Sequence, residues 1–412
     1  MCKRTYEADN DHDISLSSNI KRFYMASVNR RDFLKNSGLA TLPMLVANPV
    51  LAAMNTGHQQ PAPPATQVIK FMGDGEMFEP TEYLNILQQA TIVRDSYGAG
   101  GSVEALEKKF AGITGKEKAI YMPSGTMANQ LAIAVLSGEN SKVFVQETSH
   151  VYRDEADAAQ AVFQKRLMPL AKDEPFFTAQ QLQTAVEALP SEEVFKTGVG
   201  AVSIENPVRR SSGRMVPLEE LRKISTYCRA NNIKLHFDGA RIYMAAAWSG
   251  VSIKEYASLC DTFYISLYKY FGAAGGAVLC GDKAVIDKMP HLIKVHGGSM
   301  YGNWTNAAMV LYRLEGFEDR MKSTVQKANE LFDALNKISG ITIKALPGGT
   351  NTYAFALSPK IEITKLRDAL NTNYNIRIGR VNEKNEGFLT VNETLLYQDN
   401  NYIINAFKKC IG

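Results

Sequence analysis

Cysteine is scarce in this chain: five residues among 412, at positions 2, 228, 260, 280 and 410, with no CxxC pair. An odd number spread so widely argues against a disulfide framework and against a cysteine-rich metal centre. Cys228, Cys260 and Cys280 are read instead as small buried apolar residues. Histidine is scarce too, with six residues and no clustered carboxylates around them, which leaves no basis for a zinc site. Charge of one sign is lacking: 46 basic residues against 42 acidic ones give a formal net charge of +4, too weak a field for nucleic acid. Long apolar runs are missing as well. The one moderately apolar stretch near the N-terminus is interrupted by Pro43 and Pro49, so no stable membrane span is expected. No GxGxxG stands at a suitable first strand–helix turn, which sets a dinucleotide fold aside.

What is present begins with NRRDFLK at 29–35, followed by SGLATLPMLVANPVLA. A twin arginine ahead of a small-residue-rich apolar segment reads as a twin-arginine export signal, with Val50-Leu51-Ala52 as a cleavage site. The expectation is an exported or periplasmic protein whose translation starts at Met25. The other reading is a short amphipathic helix with an incidental Arg-Arg pair, in a cytoplasmic protein. Residues 1–66 are assigned to the signal and a flexible Gln/Pro/Ala-rich lead-in.

Beyond them, helical and strand patterns alternate. SVEALEKKFAGI at 102–113 has helical apolar spacing, with Gly112 as its terminator; AIYM at 119–122 and KVFVQE at 142–147 read as strands. A buried strand lies within TGVGAVSIENPV at 197–208, a helix over 217–232, and further strands in KLHFD, DTFYISL and GGAVLCG. Such alternation predicts an α/β fold with a large, mostly parallel sheet and a site at its strand ends. A helix-rich run through 299–339, strands at 342–346 and 352–357, and a helix near 399–409 predict a smaller C-terminal α/β domain. The expected boundaries are 67–300 for the large domain and 301–412 for the small one.

Four blocks carry residues suited to chemistry. Lys269 ends an aromatic-rich strand and precedes a Gly-rich turn; a buried amine there is a nucleophile, whereas most lysines are solvent-facing charges. Asp238 ends KLHFD and either serves a site or caps the next helix. Ser124-Gly125-Thr126 precedes a helix-like run, where free N–H groups suit phosphate, unless the three form only a turn. His150 follows a strand, as a site residue or an N-cap.

Taken in order, PSGTMAN at 123–129, ETSHVYRDEA at 147–156, HFDGAR at 236–241 and DTFYISLYKYFGAAGG at 261–276 resemble the threonine aldolases of the β-eliminating lyase family. The resemblance runs from about Tyr97 through Gly281. It implies the aspartate-aminotransferase-like type I fold and the cofactor pyridoxal 5′-phosphate (PLP). By the resemblance, Lys269 holds PLP as a Schiff base, Asp238 meets the pyridine nitrogen, and His150 stacks over the ring. Gly125 and Thr126, with Ser124, contact the phosphate, and Arg241 turns toward the phosphate or the substrate carboxylate. His236 either approaches the cofactor or faces the sheet interior; Asn206 either bonds the site or ends a strand. Gly275-Gly276 allows a tight path after Lys269, and Tyr97-Gly98 matches a region that helps form a neighbouring subunit's site. A homodimer or homotetramer with shared active sites is implied.

The implied reaction is cleavage of a β-hydroxy amino acid, threonine-like, to glycine and an aldehyde. β-Elimination, racemisation and transamination use the same electron sink and stay as alternatives, with a noncatalytic PLP-fold binding protein as a further one. Departures concern the amino-acid pocket. KFMGDGEMF at 70–78 lacks the serine of the family's RSDT-like segment, and EGFLTVNETLL at 386–396 puts Phe388 where a carboxylate-binding arginine is expected. Arg377 and Arg380 are candidate replacements, and Tyr268 stands where a small polar residue usually precedes the lysine.

Overall fold

The computed structural model describes residues 67–411; the export signal and lead-in read in residues 1–66 lie outside the described residues. Twelve strands follow in chain order: β1 (Ile69–Phe71), β2 (Lys118–Met122), β3 (Lys142–Gln146), β4 (Arg166–Leu170), β5 (Val199–Glu205) and β6 (Lys234–Asp238). Then come β7 (Thr262–Ser266), β8 (Ala277–Gly281), β9 (Ile341–Ala345), β10 (Thr352–Leu357), β11 (Ile376–Ile378) and β12 (Glu386–Thr390). Seven form one sheet in the order β2-β8-β7-β6-β5-β3-β4. Neighbours from β7 through β4 pair in parallel, while β8 is antiparallel to both β7 and β2. β3, β7 and β8 are buried at every position, which is why their sequences run apolar rather than alternating. Pro169 interrupts β4 without breaking the sheet, because β4 is an edge strand.

Helix Gly101–Thr114 buries Val103, Leu106 and Phe110 in the main core, which also takes Phe237 and Phe263. It ends at Gly115, whose φ of 67° is left-handed, and not at Gly112 as the sequence suggests. Glycine accepts that conformation without strain, and Gly112 is simply a helical position. Helix Gly125–Ser137 buries Ala128, Leu131 and Ala132 in another cluster with Tyr264 and Leu279. A further core contains Phe332, Phe355, Leu370 and Phe407, over the antiparallel sheet β12-β10-β9. β1 pairs with β11 in parallel and sends Ile69 and Phe71 into that same core. The first described strand therefore lies among the C-terminal elements, ahead of the strands of the large sheet.

Cys228, Cys260 and Cys280 are buried free thiols. Among the described residues no helix is long and apolar enough to cross a membrane, and no group of three His, Cys, Asp or Glu is arranged to hold a metal ion.

Glu107 gives a stability prediction. Its Oε1 accepts the Tyr121 N–H at 2.8 Å, and burial raises its carboxyl from 4.5 to about 7. Between those values the native state binds more protons than the unfolded chain, so stability falls as pH rises through that window. Glu107→Gln keeps an acceptor for Tyr121 and removes the loss. The variant's Tm, relative to wild type, is expected to be higher at pH 8 than at pH 5; equal differences at both would refute this.

Candidate active site

The carboxyl ends of the parallel strands deliver the polar residues. β6 stops at Asp238, β5 at Glu205, and β7 leads through Leu267 and Tyr268 to Lys269. His150 opens a short helix after β3, and helix Gly125–Ser137 starts after β2. Ser124, Gly125, Thr126, His150, Asp238 and Lys269 together line one cavity of about 250 Å³, with Glu155, Tyr264 and Tyr268 also in its wall. The sequence-selected residues are thus brought together, except that Arg241 lies outside this lining.

At the helix start, Ser124 Oγ accepts the Met127 N–H at 3.2 Å and its carbonyl accepts that of Ala128 at 3.2 Å. The N–H groups of Gly125 and Thr126 are left without an acceptor among the described residues. A side chain at position 125 would place its Cβ 2.0 Å from Tyr264 Oη, so only glycine fits there. Gly276 has the same constraint from the other side: its φ is 100°, and a Cβ would meet the Tyr121 ring at 2.8 Å.

Asp238 is 3% exposed. Its Oδ1 accepts the Ala240 N–H at 3.0 Å, closing a local turn, while Oδ2 accepts Asn129 Nδ2 at 2.9 Å. Asp238 therefore closes a turn ahead of the next helix without capping it, since that helix begins at Ile242 with Arg241 as its N-cap. Lys269 is followed by Tyr270 and Phe271, which are buried against Tyr243 at ring separations of 5.3 and 5.2 Å and anchor the backbone that bears the amine. Desolvation, then the nearby Arg241 charge, pulls the Lys269 amine below its ordinary value, against Asp238, Asp74 and Glu205. A lower value means more free amine, the nucleophilic form.

His150 Nδ1 lies 2.9 Å from Glu155 Oε1, and this hydrogen bond raises the imidazole above its ordinary value despite burial. Glu205 accepts the main-chain N–H of His150 at 2.6 Å and of Arg209 at 2.8 Å, while burial pushes its carboxyl up to about 7. Sequence reasoning missed Glu155 and Asn129, although each stands inside a quoted block; for Asn129 the signal was a polar residue at a position its helix buries, while Glu155 lies in a bend with no such pattern.

Arg241 donates to both oxygens of Asp74, at 2.7 and 2.9 Å. Asp74 was not singled out in the sequence, and its partner stands 167 positions away. In the 70–78 segment that lacks the expected serine, the Gly73 carbonyl is held by Asn392 Nδ2 at 3.3 Å. Phe388 is absent from the Lys269 cavity and lines a hollow of about 370 Å³ on the small sheet, with Lys344 and Glu386. Arg377 is exposed and bonded to Asn371 at 3.0 Å, and Arg380 is exposed. His236 is fully buried between Asn129 and Thr262, so it faces the sheet interior. Asn206 Oδ1 accepts the Val216 N–H at 2.8 Å, which ties down the chain after β5.

Residues 79–356 match the family described as "Beta-eliminating lyase". The chain belongs to this family. It is 29% identical over 275 residues to the low-specificity L-threonine aldolase of Candida albicans, covering 66% of this chain and 72% of that protein. It is 30% identical over 274 residues to that of Saccharomyces cerevisiae, covering 66% and 69%. An alanine racemase of Cochliobolus carbonum is 31% identical over 219 residues, 53% of this chain and 55% of that protein. A solved structure of a putative L-allo-threonine aldolase from Listeria monocytogenes superposes with a TM-score of 0.71 at 24% identity, over 84% of this chain and 96% of that one. That likeness establishes the aspartate-aminotransferase-like type I PLP fold, and the family makes this β-eliminating lyase a PLP-dependent enzyme of the aldolase and lyase class.

The pocket fits that cofactor. Unclaimed N–H groups at a long helix's start suit a phosphate, a buried carboxylate suits a protonated pyridine nitrogen, and a desolvated amine suits an aldehyde.

Proposed function

We propose that this lyase cleaves a β-hydroxy amino acid of the threonine type into glycine and an aldehyde. The observation that carries the reading is the convergence of Lys269, Asp238, His150 and the Gly125–Thr126 helix start on one cavity. The threonine aldolases among its relatives support it.

In this reading Ser124, Gly125 and Thr126 bind the PLP phosphate, Lys269 binds its aldehyde, and Asp238 keeps a proton on its pyridine nitrogen. When bound, PLP supplies the sink for the electron pair released as the substrate's Cα–Cβ bond breaks. His150 has Nδ1 committed to Glu155, which leaves Nε2 to take the β-hydroxyl proton. The Lys269 amine returns a proton to the Cα atom. Arg241, fixed on Asp74, keeps a positive charge beside Lys269 that favours the free amine. The carboxylate contact differs from the family's expected one, because the segment 70–78 lacks the expected serine and Phe388 offers no cation. The substrate range is therefore the open variable.

A homodimer or homotetramer with shared sites belongs to the same reading. Tyr97, 59% exposed with φ at 51°, is braced on Tyr301 and is the surface tip it uses. Export through the signal in residues 29–52 would place the reaction outside the cytoplasm.

The test is a panel of L- and D-β-hydroxy amino acids given to purified PLP-loaded protein. Equal amounts of glycine and aldehyde are expected from at least one. No cleavage by protein with an intact cofactor absorbance band would refute the reading. Racemisation is the second possibility, favoured by the alanine racemase relative, and chiral analysis of recovered amino acid separates the two.

A further inference from the structure

We propose that Asn129 is a positioning residue that joins the two ends of the site, holding Asp238 with one amide hydrogen and Glu155 with the other, and so fixing the partner of His150. The inference rests on the reading that puts the cofactor between His150 and Asp238.

Asn129 is 1% exposed and lies on helix Gly125–Ser137, within a turn of the proposed phosphate contacts. Its Nδ2 is 2.8 Å from Glu155 Oε1 and 2.9 Å from Asp238 Oδ2. A side-chain amide has two N–H donors, and here each serves a different carboxylate. Its orientation is locked as well. Oδ1 is 2.9 Å from His236 Nε2, and because Oδ1 only accepts, His236 must carry its hydrogen on Nε2. Nδ1 of the neutral ring then accepts from Thr262 Oγ1 at 2.8 Å. Burial lowers His236 to about 4, so the neutral ring prevails near neutrality. A flipped amide would set its oxygen against both carboxylates, which accept only.

Glu155 depends on this donor. Its Oε1 receives Asn129 and meets His150 Nδ1 at 2.9 Å, while its Oε2 is buried with no partner among the described residues. Without Asn129, the buried Glu155 carboxylate would keep His150 as its one hydrogen-bond partner and face Asp238 with no donor between them, so its hold on the ring would loosen. The other groups around His150 come from separate elements: Asp238 at the end of β6, Lys269 after β7, Glu205 at the end of β5 on its main-chain N–H, and Asp154 beyond its own helix. Among the described residues only Glu155 hydrogen-bonds the ring, so whatever positions Glu155 acts on His150.

The test uses full-length, cofactor-loaded protein with ¹³C-labelled histidine, titrating the His150 ring by NMR in wild type, Asn129→Ser, Glu155→Gln and the double variant. Losing an ionised partner at hydrogen-bond range should lower the His150 midpoint by about one pH unit in each single variant. The double variant should fall no further than Glu155→Gln alone, since Asn129 acts through Glu155. Additive shifts, or an unchanged midpoint in folded Asn129→Ser, overturn the proposal. Glu155→Gln is isosteric and keeps the test alive should Asn129→Ser not fold: an unchanged midpoint there also overturns it. A purely structural asparagine would lower Tm and leave the midpoint in place. Because nothing is read from turnover, failure of the threonine-type substrate reading leaves this result standing, and the reverse also holds.

Discussion

Lys269→Ala is expected to lose turnover by about 10⁴-fold or more and to lose the cofactor's lysine-linked absorbance, with Tm close to wild type. On the proposed reading two functions disappear at once: the amine that would bind the PLP aldehyde and the group that would move a proton at Cα; a positioned acid or base alone contributes roughly 10²–10⁴-fold. Stability is expected to hold because the amine makes no ion pair among the described residues and sits where desolvation already opposes its charge. Truncation removes a half-buried amine that has no ion-pair partner among the described residues, whereas Tyr270 and Phe271 keep the backbone anchored in the aromatic cluster. Absorbance, turnover and Tm on the same preparation decide it. Retained absorbance and turnover in folded protein would sink the assignment of Lys269.

How much of this was legible in sequence follows from the range of each interaction. β6 and the Asp238 at its end were readable because a short apolar run ending in a charge is a local pattern. So was the helix beginning at Gly125, since Ser124 caps it through a bond three residues away. Gly115 displaced Gly112 as a helix terminator because the deciding quantity is a backbone angle, which two neighbouring glycines do not distinguish in composition. Long-range pairs had no local signature. β1 meets β11 some three hundred residues on, and three-residue strands carry too little periodicity to be seen. Asp74 finds Arg241, and Asn129 finds both His236 and Asp238, only after the sheet has assembled. The family blocks marked the residues that line the Lys269 cavity, while the bonds that orient them come from partners far away in sequence.

Asp238→Asn tests the other end of the pocket, and it is expected to lower kcat by roughly a hundredfold. On the proposed reading the pyridine nitrogen would lose the negative charge that stabilises its proton, a charged hydrogen bond of about 1.5–3 kcal/mol. At 1.36 kcal/mol per tenfold in rate, that range spans about one to two powers of ten, with the upper end expected at a buried site. Asparagine also fits the surroundings poorly. Oδ1 now accepts from the Ala240 N–H and Oδ2 from Asn129, so every orientation of the new amide sets one N–H group against another donor. Tm is therefore expected to fall as well, unlike in Lys269→Ala, and the cofactor absorbance to persist because Lys269 is intact. The two variants thus separate attachment from activation: one loses the absorbance and keeps Tm, the other keeps the absorbance and loses rate. An Asp238→Asn enzyme with unchanged kcat would mean that this carboxylate closes the Ala240 turn and holds Asn129, and that the pyridine nitrogen finds its proton elsewhere.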